Sequence, residues 1–274
     1  MKNIPKLVAV ALTLFATSAF AGKGGSNAAI VAAVNSHSTD AIIAEVERAE
    51  GLICSDCVQT ITNLTEDNRF AVREVAAWWF AKRPGLAKVM SDQMKGDLAS
   101  GTSLQVRNAA DFVGAIVDYT ALPALRQAMG RSLDSEAKLA IVHAVGYMAH
   151  VDGNGILVTA MGDADPAVRA AAINAWRDIL GQVSVAPVEQ RLTDADAKVR
   201  AAAATVMGAY GDRNAVSALE QLVVTDKDPF VRRNAAWALG QIGSRDASGA
   251  LLTAVNDKSG LVRLVAKASL ARLQ

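Results

Sequence analysis

Residues 226–243 read DKDPFVRRNAAWALGQIG. Asp228 stands where a helix N-cap belongs, and Pro229 follows at the first helical position, where a missing N–H costs nothing. Val231, Ala235 and Ile242 then fall on one face at helical spacing, and Gly243 sits where the helix should end. Upstream, NAVSALEQLVV (214–224) carries an apolar stripe of Val216, Leu219, Leu222 and Val223. The unit is therefore a helix, an aspartate-rich break and a second helix.

The same unit recurs along the chain. DADPAVRAAAINAW begins at 163, DADAKVRAAAATVM at 194 and DKSGLVRLVAKASL at 257. The arginines of their Val-Arg pairs, Arg169, Arg200, Arg232 and Arg263, are separated by 31, 32 and 31 residues. Weaker copies extend the register backward to Lys138, Arg107 and Arg73, with one longer step of 34 between the last two. Asp165, Asp196, Asp134, Ser103 and Ser259 take the N-cap place of Asp228. Seven copies of one unit cover residues 52–274, and a fixed period of this size marks an α-solenoid.

The pattern Asp-x-Asp-Pro-x-Val-Arg-x-x-Ala-x-x-Ala-Leu-Gly-x-Ile-Gly resembles HEAT repeats, in the short form also found in phycobilisome lyases. The resemblance implies an all-α, right-handed solenoid of about seven short helical hairpins. It also implies a ladder in which each basic residue bonds an aspartate of a neighbouring repeat. On this chain the ladder falls to Arg73, Arg107, Lys138, Arg169, Arg200, Arg232 and Arg263. Its acids are Asp67, Asp163, Asp194, Asp226 and Asp257, each six before a basic residue. Gly101 and Ser132 depart from the acidic position, so a break is expected around the second and third repeats.

Residues 1–21 have the charged, apolar and small-x-small layout of a cleavable secretory signal: Lys2 and Lys6, an apolar run from Leu7, and Ala19-Phe20-Ala21. An uncleaved anchor is the alternative, though the run is short of the roughly 20 residues that a membrane span needs. Cleavage takes the formal charge from +1 to −1, a balance with no long-range pull toward nucleic acid or anionic lipid. The expected product is exported, periplasmic in a Gram-negative source, with no stable membrane insertion. Residues 22–51 lie outside the repeat register and read as a leader and a helical cap over the array's first apolar face.

Cys54 and Cys57 are the chain's two cysteines. Val58 follows Cys57 where haem attachment needs histidine, and the histidines offer no paired spacing nearby for zinc. A redox centre at a helix N-terminus stays open, but in an oxidising compartment the default is a disulfide that fastens the cap. His143 and His150, seven apart on one predicted helix, make at most a weak metal site, and no cofactor is expected.

No nucleophile–base pair, phosphate-cradling loop or carboxylate cluster is legible, so the expectation is a non-catalytic scaffold. Its partner is an unknown protein or peptide on the concave face; the alternative is a chromophore-lyase-like or thiol-redox activity. The residue five after each basic residue turns away from the Val-Ala core stripe at roughly 100° per residue. That position gives a candidate partner groove of Trp78, Phe112, His143, Asn174, Thr205, Trp237 and Ala268. The signal pattern makes one prediction directly. Intact-mass measurement of the exported protein should find Gly22 at its N-terminus, whereas a membrane-retained chain that keeps residues 1–21 would show an anchor.

Overall fold

A computed structural model describes residues 25–52, 54–182 and 184–273; the leader expected at 1–21 lies outside these. The described residues form eight helical hairpins and no strand. The cap is α1 (Asn27–Asn35) and α2 (Thr39–Arg48). Next come α3 (Ser55–Leu64) with α4 (Phe70–Ala81), and α5 (Pro84–Ser100) with α6 (Ser103–Ala115). The middle hairpins are α7 (Leu122–Met129) with α8 (Ser135–Met148), and α9 (Asn154–Ala160) with α10 (Pro166–Asp178). The short α11 (Ala186–Glu189), extended by a 3-10 turn, precedes α12 (Ala197–Tyr210). The array closes with α13 (Val216–Thr225) and α14 (Pro229–Ile242), then α15 (Ser248–Ala254) and α16 (Gly260–Leu273). The even-numbered helices stack side by side in chain order from α2 to α16.

Local chemistry starts these helices. The Asp134, Asp165, Asp196 and Asp228 carboxylates each accept from a first-turn N–H, satisfying donors that have no partner inside the helix. In the repeat of α6 the cap is Thr102 rather than Ser103, locked in a reciprocal box with Gln105. Gly181, Gly211 and Gly243 take the left-handed conformation where α10, α12 and α14 have ended. The Val-Ala stripe is wholly buried at Val168, Ala172, Val199, Ala203, Val231 and Ala235.

Alanine-rich faces let the second helices approach closely, and glycine lets three pairs come closer still. A Cβ on Gly208 would stand 2.6 Å from the Ala238 Cα, and one on Gly114 would stand 2.7 Å from the Ala144 Cα. Gly240 meets Ser269 in the same way.

Charge joins the interhelix turns. Arg169 donates through Nε and Nη2 to both oxygens of Asp194 in the next repeat, at 2.9 and 2.7 Å. Its Nη1 donates to the Asp163 and Ala164 carbonyls of its own turn. Arg200 repeats the arrangement onto Asp226, and Arg232 onto Asp257. Lys138 reaches Asp163 at 2.6 Å through its single nitrogen. Each of these aspartates also accepts the N–H two residues on, which fixes its own turn. Arg263, the last of the series, holds only the carbonyls of its own turn among the described residues.

The pattern changes where the aspartate is missing. With Gly101 ahead of it, Arg73 turns to Asp111 on α6, giving both Nε and Nη2 to Oδ2. With Ser132 ahead, Arg107 goes to Glu136 at 3.3 Å and to Asn108. Here the stitching runs backward as well: Arg131 donates to the Leu98 and Gly101 carbonyls of the preceding turn. At the cap, Arg69 grips Asp67 with two nitrogens and reaches back to the His37 carbonyl and Thr39 with the third.

Two predictions arise from this packing. Gly208→Ala should lower stability by about 1–3 kcal/mol through overpacking, while Gly249→Ala, with open space around it, should cost nothing; thermal unfolding decides. The second concerns acid. Burial alone would raise Asp163, Asp194 and Asp226, but the bonds from Lys138, Arg169 and Arg200 hold them below the usual 3.8. The Arg232 bond lowers Asp257 against a smaller effect of burial. Depressed carboxylates contribute stability that is complete above pH 3.8 and is lost as pH falls through their folded values. Melting temperature should therefore drop below about pH 4, and Asp226→Asn should flatten that limb of the curve.

Candidate functional site

The exposed face of the second helices carries a trough in the N-terminal half, made of two clefts that meet at Tyr147. The first, of about 400 Å3, lies among α2, α4, α6 and α8 and is lined by Ile43, Glu47, Glu74, Trp78, Val117 and Tyr147, among others. The second, of about 810 Å3, runs over α4, α6, α8 and α10 past Phe70, Arg107, His143, Tyr147 and Asn174. Its floor includes the buried Arg73–Asp111 pair. The aspartate-free turns thus direct Nε and Nη2 of Arg73, whose Nη1 still holds the Asp67 carbonyl of its own turn, to Asp111, and both Arg73 and Arg107 line the trough. Burial, opposed by Arg73, leaves the Asp111 carboxyl above the usual carboxylate range.

The seven residues expected in the groove do not share one fate. Trp78 is half-buried on the wall of the first cleft, and His143 and Asn174 are exposed in the second. Phe112 is a correction: it is 2% exposed, with its ring edge-on to Phe80 at 5.7 Å. In α6 the cap Thr102 stands five before Arg107, where Asp228 stands four before Arg232. Gly114 is seven after Arg107, where Gly208 and Gly240 are eight after Arg200 and Arg232. The register of α6 is therefore offset by one residue, and Phe112 takes the inward place of Val206 and Ala238. Trp237 is half-buried against Gly208 of the preceding repeat and lines neither cleft of the trough. Thr205 is half-buried and bonded to Asn234, and Ala268 is exposed on α16. His150 also departs from expectation. It lies past the end of α8, beyond the left-handed Ala149, and caps the next 3-10 turn through Nδ1. Among the described residues no group of three or more His, Cys, Asp or Glu is placed to hold a metal ion.

Sequence reasoning missed Tyr147, Glu47, Glu74 and Asp111. A signal was present for one part: Gly101 and Ser132, together with the 34-residue step, mark where the repeat is altered.

The rim holds a second irregularity. Val117 ends α6 at φ 55°, in the place that Gly181, Gly211 and Gly243 occupy after later helices. A β-branched residue in the left-handed region is strained, and such strain gathers at ligand clamps and switches.

The cysteines line neither cleft. Cys54 and Cys57 are joined by a disulfide, and the Cys54 sulfur caps α3 by accepting from the Cys57 N–H. The segment before them is held by α4 and the residues just after it. Trp79 donates to the Ala49 carbonyl at 3.0 Å, and Arg83 donates to the Glu50 and Leu52 carbonyls. Burial pulls the Arg83 guanidinium down to about 10, partly offset by the Glu50 charge, and its plane lies 3.5 Å from the Trp79 ring centre.

Residues 185–271 match the family model for HEAT repeats. Over these residues, α11 to α16, the array is similar to HEAT repeats. The fold extends over the whole chain in the crystal structure of YibA from Escherichia coli, with a TM-score of 0.59 at 13% identity over 100% of this chain and 98% of that one. An engineered protein aligns over 89% of this chain and 77% of its own, with a TM-score of 0.53 at 20% identity. At these identities the likeness is one of fold. No curated protein matches the chain.

Proposed function

We propose that this chain is an exported, non-enzymatic HEAT-repeat scaffold that binds a protein or peptide segment along the trough over α2–α10. One observation carries the reading. The trough opens where the ladder is rerouted, and it combines aromatic walls with polar groups that face outward. Trp78 and Tyr147 supply rigid area of the kind favoured at binding hot spots, while His143 and Asn174 offer hydrogen bonds. In the C-terminal half, Gly208 and Gly240 bring the second helices together with Trp237 packed between repeats. Export is supported by the N-terminal pattern and by the disulfide, a bond that persists in oxidising compartments.

A pull-down from the native exported fraction with wild-type protein, Tyr147→Ala and Asn174→Ala tests the trough. The expected result is a partner captured by the wild type, with binding weakened by more than about 1 kcal/mol in Tyr147→Ala and an unchanged melting temperature. Capture unaffected by both substitutions would move the working surface elsewhere.

A further inference from the structure

The first cleft has an unbalanced charge. Glu47 on α2 and Glu74 on α4 line it together, both exposed, and neither carboxylate has an ion-pair or hydrogen-bond partner among the described residues. The other acids of the trough are matched: Asp111 by Arg73, Glu136 by Arg107 and Asp178 by Arg177. Lys82, 5.3 Å from the Trp78 ring centre, is engaged with Glu50 at 3.1 Å and is outside the cleft lining. Two uncompensated carboxylates therefore share a recess with an indole and a phenol. The Tyr147 phenol registers the same field, pushed up by burial and then by the Glu74 and Asp111 charges.

Carboxylates beside aromatic faces fit one kind of side chain. A lysine or arginine brings a cationic head for the acids and an apolar stem for the rings, and a cation over an aromatic face gains further attraction. An acidic side chain would meet repulsion there, and a purely apolar one would leave both carboxylates partly desolvated without a counter-charge. We propose that this cleft receives a lysine or arginine side chain of the bound partner, its head between Glu47 and Glu74 and its stem against Trp78 and Tyr147. The proposal rests on the trough being the partner surface and adds the chemistry of the segment that enters it. The strained Val117 forms part of the wall beside α6.

The test uses small probes on the intact mature protein. N-acetyl-arginine methylamide and N-acetyl-lysine methylamide are titrated while the Trp78 indole N–H is followed by NMR, assigned through Trp78→Phe. N-acetyl-norleucine methylamide and N-acetyl-glutamate methylamide serve as neutral and acidic controls. The cationic probes should give saturable shifts with Kd on the order of millimolar, at least about tenfold tighter than the controls. Raising salt to about 0.5 M should weaken them, since screening then acts within a few ångström. The double variant Glu47→Gln with Glu74→Gln, altering two exposed side chains, should reduce affinity about fivefold or more at unchanged melting temperature. Equal shifts from norleucine, no saturable shift from either cation, or an unaffected double variant would each overturn the proposal. The pull-down separates the two readings. A partner lost on Tyr147→Ala but retained by the double variant leaves the trough in place and removes the cationic contact.

Discussion

A guanidinium that holds its own turn with one nitrogen and the next repeat's aspartate with two others is what makes the later hairpins a single body. Apolar stacking alone leaves two alanine-rich helices free to slide, because small side chains interlock weakly. The two-pronged grip at Arg169, Arg200 and Arg232 removes that freedom, since a bidentate pair tolerates little displacement. The aspartate in turn is fixed by the N–H two residues on, so turn geometry and repeat spacing are set by one group of atoms. The pairs are largely shielded from water, and breaking one would strand a carboxylate with few alternatives.

The trough is the consequence of suspending that rule. Once Gly101 and Ser132 replace the acids, Arg73 and Arg107 must find other anions, and those available are on the second-helix face. The altered turns are joined instead by Arg131, which reaches backward to the Leu98 and Gly101 carbonyls. The C-terminal half thus keeps the regular ladder, and the N-terminal half, where it is rerouted, carries the trough.

How far the sequence carries this follows from what each feature depends on. The hairpins, their caps and the buried Val-Ala stripe depend on neighbours within one turn of chain, and the period makes them legible at Asp165, Asp196 and Asp228. Phe112 shows where local reading ends. Its burial follows from a one-residue offset in α6, capped by Thr102 rather than Ser103, which turns Phe112 toward Phe80 on α4, 32 residues away in sequence. Asp111 was hidden because it lies off the acidic register and yet accepts the register's Arg73, and Glu47 because it belongs to the cap, outside the repeats. Trp237 had the right spacing and the wrong neighbour, a glycine that gives its ring a seat.

The repeated grip also bears on how such a chain can change length. Asp194, Asp226 and Asp257 present the same two oxygens to the preceding arginine, each with the same internal N–H bond. These acceptors are chemically interchangeable: were one hairpin of this half duplicated or excised, the arginine left at the junction would meet an aspartate like the one it lost. Arg73, committed to Asp111, has no such substitute. Growth and shrinkage by whole units are therefore open to the C-terminal half of the array and closed to the half that carries the trough.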